Sequence, residues 1–504
     1  MTIAPQRPLP TTAAAVRQER PLGVMDVVPL PSWAIVLGAL GATAVAAALA
    51  ARAPLFGIAA AGAVAVALWL AQRPVLLGVV VVALVPITSG LKRGLGVPGL
   101  KISEVLVVFG AIVILGFAGK VLRGPRWRAW DWAALVYCFG TAAFGVLNSA
   151  LQQTIITGDD INTMLGPVQF LLLYRTVAAA FPTVALRVVA LRALVLASIP
   201  VSMLAVLQMV GPAFFQNLAV GLTGTGIFIT PGYDPVMRAT SLFPMWHPLG
   251  GYLVVVVLVV VALLLRRDTE VLATGWLFFV LAIAAASLVL TLTFTIIGGA
   301  VLGVLVVGWA VRRLKLVLTW LVVGGAAALV AFFPLIMGRL AEQQTATSVT
   351  PTAGDSIIPQ TILYRLIVWG DQYLPALRGM WATGYGPADP PGISWDHTES
   401  GYITLLLRGG IPLLVAGALV IYLSWRAGRR LLAAATETTA LSEIAIGASV
   451  VGIAAILPVV NFFFPYFTAS GMPQPMWVVW GLLAAALGSA STGHRTRDRA
   501  GVTH

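Results

Sequence analysis

Fourteen stretches of this sequence are runs of Ala, Val, Leu, Ile and Phe with little charge inside them, at about 33–51, 54–71, 75–89, 103–118, 132–150, 161–181, 185–210, 248–265, 272–291, 297–311, 317–336, 400–425, 441–461 and 475–490. A run of about 20 apolar residues, wound as a helix, is as long as the hydrocarbon core of a bilayer is thick. No soluble core could absorb so many of them. Only 10% of the 504 residues are charged and the mean hydropathy is +0.95, against roughly 25% charged residues in soluble domains. In lipid, backbone N–H and C=O groups must find partners within their own segment, which selects helix. The expectation is an all-α polytopic integral membrane protein with about 12–14 transmembrane helices and a large external loop carrying an amphipathic helix.

The few charges orient that bundle. Lys and Arg number 31 against 18 Asp and Glu, a net charge of +13 and a pI near 10.4. In a soluble domain this excess would raise nucleic acid as a partner. In a membrane chain it follows from the positive-inside rule, and no nucleic acid is expected. With the N-terminus in the cytoplasm, Lys120, Arg123, Arg126 and Arg128 fall in one cytoplasmic loop, and Arg266–Arg267, the cluster Arg312, Arg313 and Lys315, the cluster Arg426, Arg429 and Arg430, and the tail's Arg495, Arg497 and Arg499 fall on the same side in later loops and the C-terminal tail. The outside connections carry Asp159 and Asp160 at 151–160, no charge at 462–474, and three Arg against five acids at 337–397. Lys92, Arg93 and Lys101 are the misfit, placed outside by this topology; either a span is miscounted there or these cations face a partner at the outer headgroups.

The organisation that follows is a flexible cytoplasmic tail over 1–32 rather than a cleaved leader, transmembrane helices over 33–336 with an external loop at 211–247, a large external loop at 337–397, C-terminal transmembrane helices over 398–490, and a cytoplasmic tail at 491–504. The expected location is the plasma (inner) membrane, both termini cytoplasmic and the active face external. Cys138, the single cysteine, sits in an apolar run and reads as a packing residue. Loops of this length are usually functional. The second begins with a Thr/Ser/Pro-rich stretch, Thr345 to Pro359, and turns amphipathic from Thr361 to Arg378, where Ile362, Leu366, Trp369, Tyr373 and Leu377 recur at helical spacing. Such a helix lies on the outer membrane surface or caps a cavity.

No apolar stretch carries Asp or Glu near its centre; Glu104 and Glu443 stand at segment starts, and Arg175 and Arg408 are the deepest cations. A proton- or sodium-coupled transporter would bury an acid midway, so that class is disfavoured. The remaining polar residues gather toward the outer face: Arg238 ahead of His247 and Pro248, Arg365 in Leu363-Tyr-Arg-Leu-Ile-Val-Trp369, Gly384-Tyr-Gly386, then His397 and Glu399 before Arg408-Gly-Gly-Ile411. Arginine offers phosphate a planar fork of donors and keeps its charge, and histidine can take a proton from a hydroxyl at neutral pH. Each residue also has a plainer reading. Arg238 and Arg365 could snorkel to headgroups, His247 could cap a helix start, and His397 to Ser400 could do the same. Asp159 and Asp160 could ligate a divalent ion or open a helix. The fifteen Trp residues read as interface anchors, with some in the long loops placed to stack on sugars. No spacing matches a zinc site, a P-loop, a dinucleotide fingerprint or a serine-nucleophile elbow, so a glycan donor would have to be carried on lipid. Neither a cofactor nor a metal is expected.

Over roughly residues 200–425, in the order of these motifs and in its one large late external loop, the chain resembles the O-antigen ligase and O-antigen polymerase-like superfamily, membrane glycosyltransferases of the lipid-linked (GT-C) type. The resemblance implies transfer of a glycan from a polyprenyl-pyrophosphate-linked donor to a glycan or lipid acceptor at the outer side of the plasma membrane. On that basis Arg238 and Arg365 would bind the donor pyrophosphate, and His397 would be the general base or orient the acceptor with Glu399 as its partner. His247 and Arg408 would be further substrate contacts. The chain departs from the family at Thr291-Leu-Thr-Phe-Thr-Ile-Ile-Gly298, where many members carry an arginine and this one has none; Thr293 and Thr295 would donate weaker hydrogen bonds in its place. The alternatives are a transporter or flippase of lipid-linked saccharide and a non-catalytic partner in an envelope assembly.

Overall fold

The computed structural model describes residues 23–28, 54–95, 99–122, 126–153, 155–225, 237–344, 360–387, 392–393, 398–436 and 439–500. The apolar stretch 33–51, the Thr/Ser/Pro-rich stretch and His397 lie outside them. Each of the other apolar stretches is helical: α1 (Pro54–Ala71), α2 (Pro74–Thr88), α3 (Ile102–Ala111, continued by a π turn over Ile112–Phe117), α4 (Ala129–Gln152), α5 (Gly158–Ala180), α6 (Val184–Val210), then, after a short α7 (Ala213–Thr223), α8 (Trp246–Arg266), α9 (Thr274–Leu290), α10 (Phe294–Ala310), α11 (Leu314–Gln343), and, beyond α12 (Gln360–Val368), α13 (Gly401–Ala433), α14 (Leu441–Val460) and α15 (Pro473–Ala500). Among the described residues α4, α6, α8, α11, α13 and α14 are each long and apolar enough to cross a membrane. The chain is an all-helical, multi-pass membrane protein.

A helix apolar on every face has two ways to satisfy itself, and both occur here. In α8 every residue except His247 and Arg266 is buried, enclosed by α6, α9, α10, α14 and α15. In α11 only Val317 is buried; Val322, Val323, Val330 and Phe333 face outward, where lipid is the apolar phase. Two ion pairs enter the bundle at one end. Arg187 on α6 bonds Glu443 on α14, and Asp131 at the start of α4 accepts from Arg175 at 2.8 Å and from the Tyr174 hydroxyl at 2.6 Å. Cys138 is fully buried as a packing residue.

Three expectations change in detail. The large loop begins later than 337, because α11 carries on through Gln343 and puts Arg339 and Glu342 on helix; likewise α15 continues past 490 to Ala500. The amphipathic segment is not one helix: α12 gives way to a π turn at Trp369–Tyr373 and a short turn of helix at Leu374–Ala376. Trp369, Tyr373 and Leu377 are buried against Ile403, Leu406 and Leu407 of α13, while Leu366 is exposed. Two of the three misfit cations, Arg93 and Lys101, are compensated locally. Arg93 grips Glu104 with both terminal nitrogens, at 2.7 and 3.0 Å, and the Lys101 ammonium donates to the Ser89 carbonyl at 3.2 Å.

Candidate functional site

The ends of α9, α11 and α14, the starts of α8 and α10, and α12 meet at one end of the bundle, opposite the Arg187–Glu443 pair. There they enclose a cavity of about 280 Å³. Its lining comes from separate parts of the chain: Arg238 and His247 around the start of α8, Leu292 to Thr295 between α9 and α10, Arg339 and Gln343 on α11, Thr361, Ile362 and Arg365 on α12, and Phe463 after α14.

Arg238 precedes an irregular, buried segment, which in an apolar surround needs partners for its backbone. Gln208 of α6 supplies them. Its Oε1 accepts from Thr240 N at 3.0 Å and Ser241 N at 2.8 Å, and its Nε2 donates to Thr240 Oγ1. The Ser241 hydroxyl donates to Val201 O, and Ala239 N donates to Leu290 O. Thus anchored, the Arg238 guanidinium lies 4.1 Å over the Trp246 ring and 3.8 Å from the Glu342 carboxylate. Glu342 also pairs with Arg339, one helical turn before it.

Arg365 comes from the capping helix. Its Nη1 donates to Thr361 O at 3.2 Å and its Nη2 meets the Glu399 carboxylate at 2.5 Å. Glu399 is held in the left-handed region, φ 44°, uncommon for a residue with a side chain. Its flanks fix it: Trp369 Nε1 donates to Thr398 O at 2.8 Å, Thr398 shares a hydrogen bond with Thr404 at 2.9 Å, and Gly401 N donates to Asn461 O at 2.6 Å. Glu399 is therefore a partner of Arg365; the expected pairing with His397 involves a residue outside the described ones.

His247 is the second residue of α8 and caps nothing; Met245 occupies the cap position. Its ring stacks on Phe464 at 4.4 Å, and its Nδ1 is buried without a hydrogen bond. The Nε atoms of Arg339 and Arg365 are in the same condition. Three donors or acceptors left open around one cavity are costly in a dry site unless a ligand uses them.

The motifs Gly384-Tyr-Gly386 and Arg408-Gly-Gly-Ile411 also come together, but as scaffold. Gly409 and Gly410 break α13, freeing backbone groups inside the protein. The loop turn takes them up: Tyr385 N donates to Leu407 O at 2.5 Å and Ile411 N donates to Trp381 O at 2.8 Å. Asn148 of α4 clamps the turn through Thr383 O at 2.8 Å.

Of the residues singled out in the sequence, Arg238, Arg365, His247, Thr293 and Thr295 share the cavity, and Glu399 joins them through Arg365. Arg408 does not line it. It sits at the break in α13, facing Tyr137 of α4. Asp159 and Asp160 open α5, where Asp160 and Thr157 exchange the hydrogen bonds of a capping box. Arg339, Gln343 and Glu342 escaped the sequence reading. The one signal for them was an Arg-x-x-Glu pair at the tail of an apolar run, the spacing that puts opposite charges on one helix face. No family model, no curated protein and no solved structure matches this chain.

Proposed function

We propose that the chain is a membrane glycosyltransferase that polymerises or ligates glycans from a polyprenyl-pyrophosphate-linked donor, with the cavity as its active site and the outer face of the plasma membrane as its side. The observation that carries this reading is the convergence of Arg238, Arg339 and Arg365 with His247, Thr293 and Thr295 in one cavity at the end of an apolar bundle. Three guanidiniums against Glu342 and Glu399 leave an excess of positive charge facing the cavity, suited to a pyrophosphate that arrives along the membrane surface.

In the proposed step an acceptor hydroxyl oxygen attacks the anomeric carbon while the bond from that carbon to the phosphate oxygen breaks. The pyrophosphate leaves with the electron pair, and inversion results. The guanidiniums are more valuable as charge builds on the leaving group than before, which is the condition for catalysis rather than mere binding. His397, two residues before Glu399 in sequence, is proposed to take the acceptor proton, and His247 to hold substrate through its open nitrogen.

The test is reconstitution of the purified chain with a lipid-linked oligosaccharide in liposomes. Lengthened chains or glycan moved to a second acceptor, both lost in Arg365→Ala and Arg238→Ala, are the expected result. Donor that only changes leaflet would assign a flippase instead.

A further inference from the structure

We propose that a second anion site, at the end of the bundle opposite the cavity, binds the phosphate headgroup of an anionic lipid from the leaflet at that end. It does not rest on the transferase reading. The start of α4, the end of α13 and the middle of α15, with Tyr174 of α5, enclose a recess of about 120 Å³ lined by Arg126, Arg128, Arg426 and Arg430. Positive-inside residues need only be on the correct side; they gain nothing from crowding into one recess. Here two come from before α4 and two from the far end of α13, some three hundred residues on. Arg126, Arg426 and Arg430 are exposed, so their mutual repulsion is screened but not removed, and an anion among them relieves it.

The protein's own acids do not serve. Asp131 lines the recess, but its carboxylate already accepts from Arg175, the Tyr174 hydroxyl and Arg128 N. Among the described residues none of the four recess arginines forms an ion pair; Arg128 Nη2 donates to the Leu487 carbonyl at 2.7 Å. The contrast with the same end of the bundle is direct, since buried Arg187 has Glu443 and Arg175 has Asp131. Arginine forks match phosphate oxygens, and basic recesses between transmembrane helices are the known form of a headgroup site. Leu423, Ala427, Ala484 and Leu487 give the recess an apolar wall, which favours a lipid over free phosphate.

The full-length protein would be placed in nanodiscs of phosphatidylcholine with phosphatidylglycerol, and co-purifying lipid measured by native mass spectrometry. Phosphatidylglycerol should be retained over phosphatidylcholine. The double variant Arg426→Gln, Arg430→Gln should weaken that retention about thirtyfold, or about fivefold per guanidinium. Arg429→Gln is the control: its guanidinium lies over Trp309 and Trp425 and outside the recess, so retention should change less than about twofold. An equal loss in Arg429→Gln would reduce the effect to surface charge and overturn the site, as would undiminished retention in the double variant. Inorganic phosphate that displaces the lipid and stabilises the protein equally well without it would overturn the lipid as the ligand. If the double variant does not fold, Arg430→Gln alone carries the test at about fivefold.

Discussion

Gly410→Ala isolates one of the contacts that join the segment between α12 and α13 to the bundle. Gly410 has φ 64° and ψ −162°, a backbone region essentially open only to glycine. Holding alanine there costs about 1–3 kcal/mol. The added Cβ would also stand 2.4 Å from the Trp381 carbonyl oxygen and 2.7 Å from Ala382 C, backbone atoms that cannot swing aside. The turn at 381–386 must lift, and the bonds from Ile411 N to Trp381 O and from Tyr385 N to Leu407 O are stretched or lost. At about 1–3 kcal/mol for a buried backbone group left unpaired, loss of one bond with the backbone strain comes to about 2–6 kcal/mol. That is a large part of ordinary net stability, but it falls on a docked turn, so the bundle should survive while the loop loosens and takes Arg365 with it. Limited proteolysis between α12 and α13, with thermal melting in detergent, reads both effects. Gly379→Ala is the comparison: its φ is 81° but nothing lies within 4 Å of the added carbon, so only about 1 kcal/mol is expected. Equal protection of the loop in the two variants, or a Gly410→Ala midpoint unchanged from wild type, would refute the reasoning.

Arg339→Gln should lower kcat in the reconstituted transfer assay by roughly a hundredfold or more, the usual cost of removing one preorganised donor from a developing anion, and Arg339→Lys should recover part of it. Unchanged kcat and KM in Arg339→Gln would remove this residue from the site. A second expectation concerns pH. Burial pushes the Asp268 carboxyl above its ordinary value, with the Glu270 and Val271 N–H groups opposing and the nearby Glu270 charge assisting. The folded state thus holds this proton more tightly than the unfolded one, so the stability it contributes is present at acid pH and is lost as pH rises through the folded value. Asp268→Asn, which keeps an acceptor for both N–H groups, should melt above wild type at neutral pH, the gap closing toward pH 3.8. A gap that widens as the pH falls would contradict the sign.

The helices were legible because an intramembrane segment announces itself in its own composition, whether its partner is lipid, as for Val322 and Val330, or protein, as for Val254 and Leu258. Hydropathy cannot tell those two surroundings apart, so it left open that α8 is the axis of the bundle and α11 its edge. Nor does it mark where a helix stops. Hydropathy ends near 336, but the helix does not, because Arg339 and Glu342 neutralise each other one turn apart and let it run on.

That distinction decides how the candidate site could be read. Arg238, His247 and Arg365 stood out because each is a polar residue at the border of an apolar run, where a charge needs a reason. Gln208 met the same criterion inside α6 and was passed over, although it holds the backbone that presents Arg238. The sequence from Thr291 to Gly298 lacks an arginine, and along the chain nothing fills the gap. In space, Arg339 from the next helix lines the same cavity as Thr293 and Thr295. A cavity at the meeting of several helix ends can draw a guanidinium from any of them, since what a phosphate meets is charge at a distance and not a position in a motif. The missing residue at one helix start is therefore weak grounds against a phosphate site, and Arg339→Gln in a background of intact Arg238 and Arg365 is the measurement that weighs it.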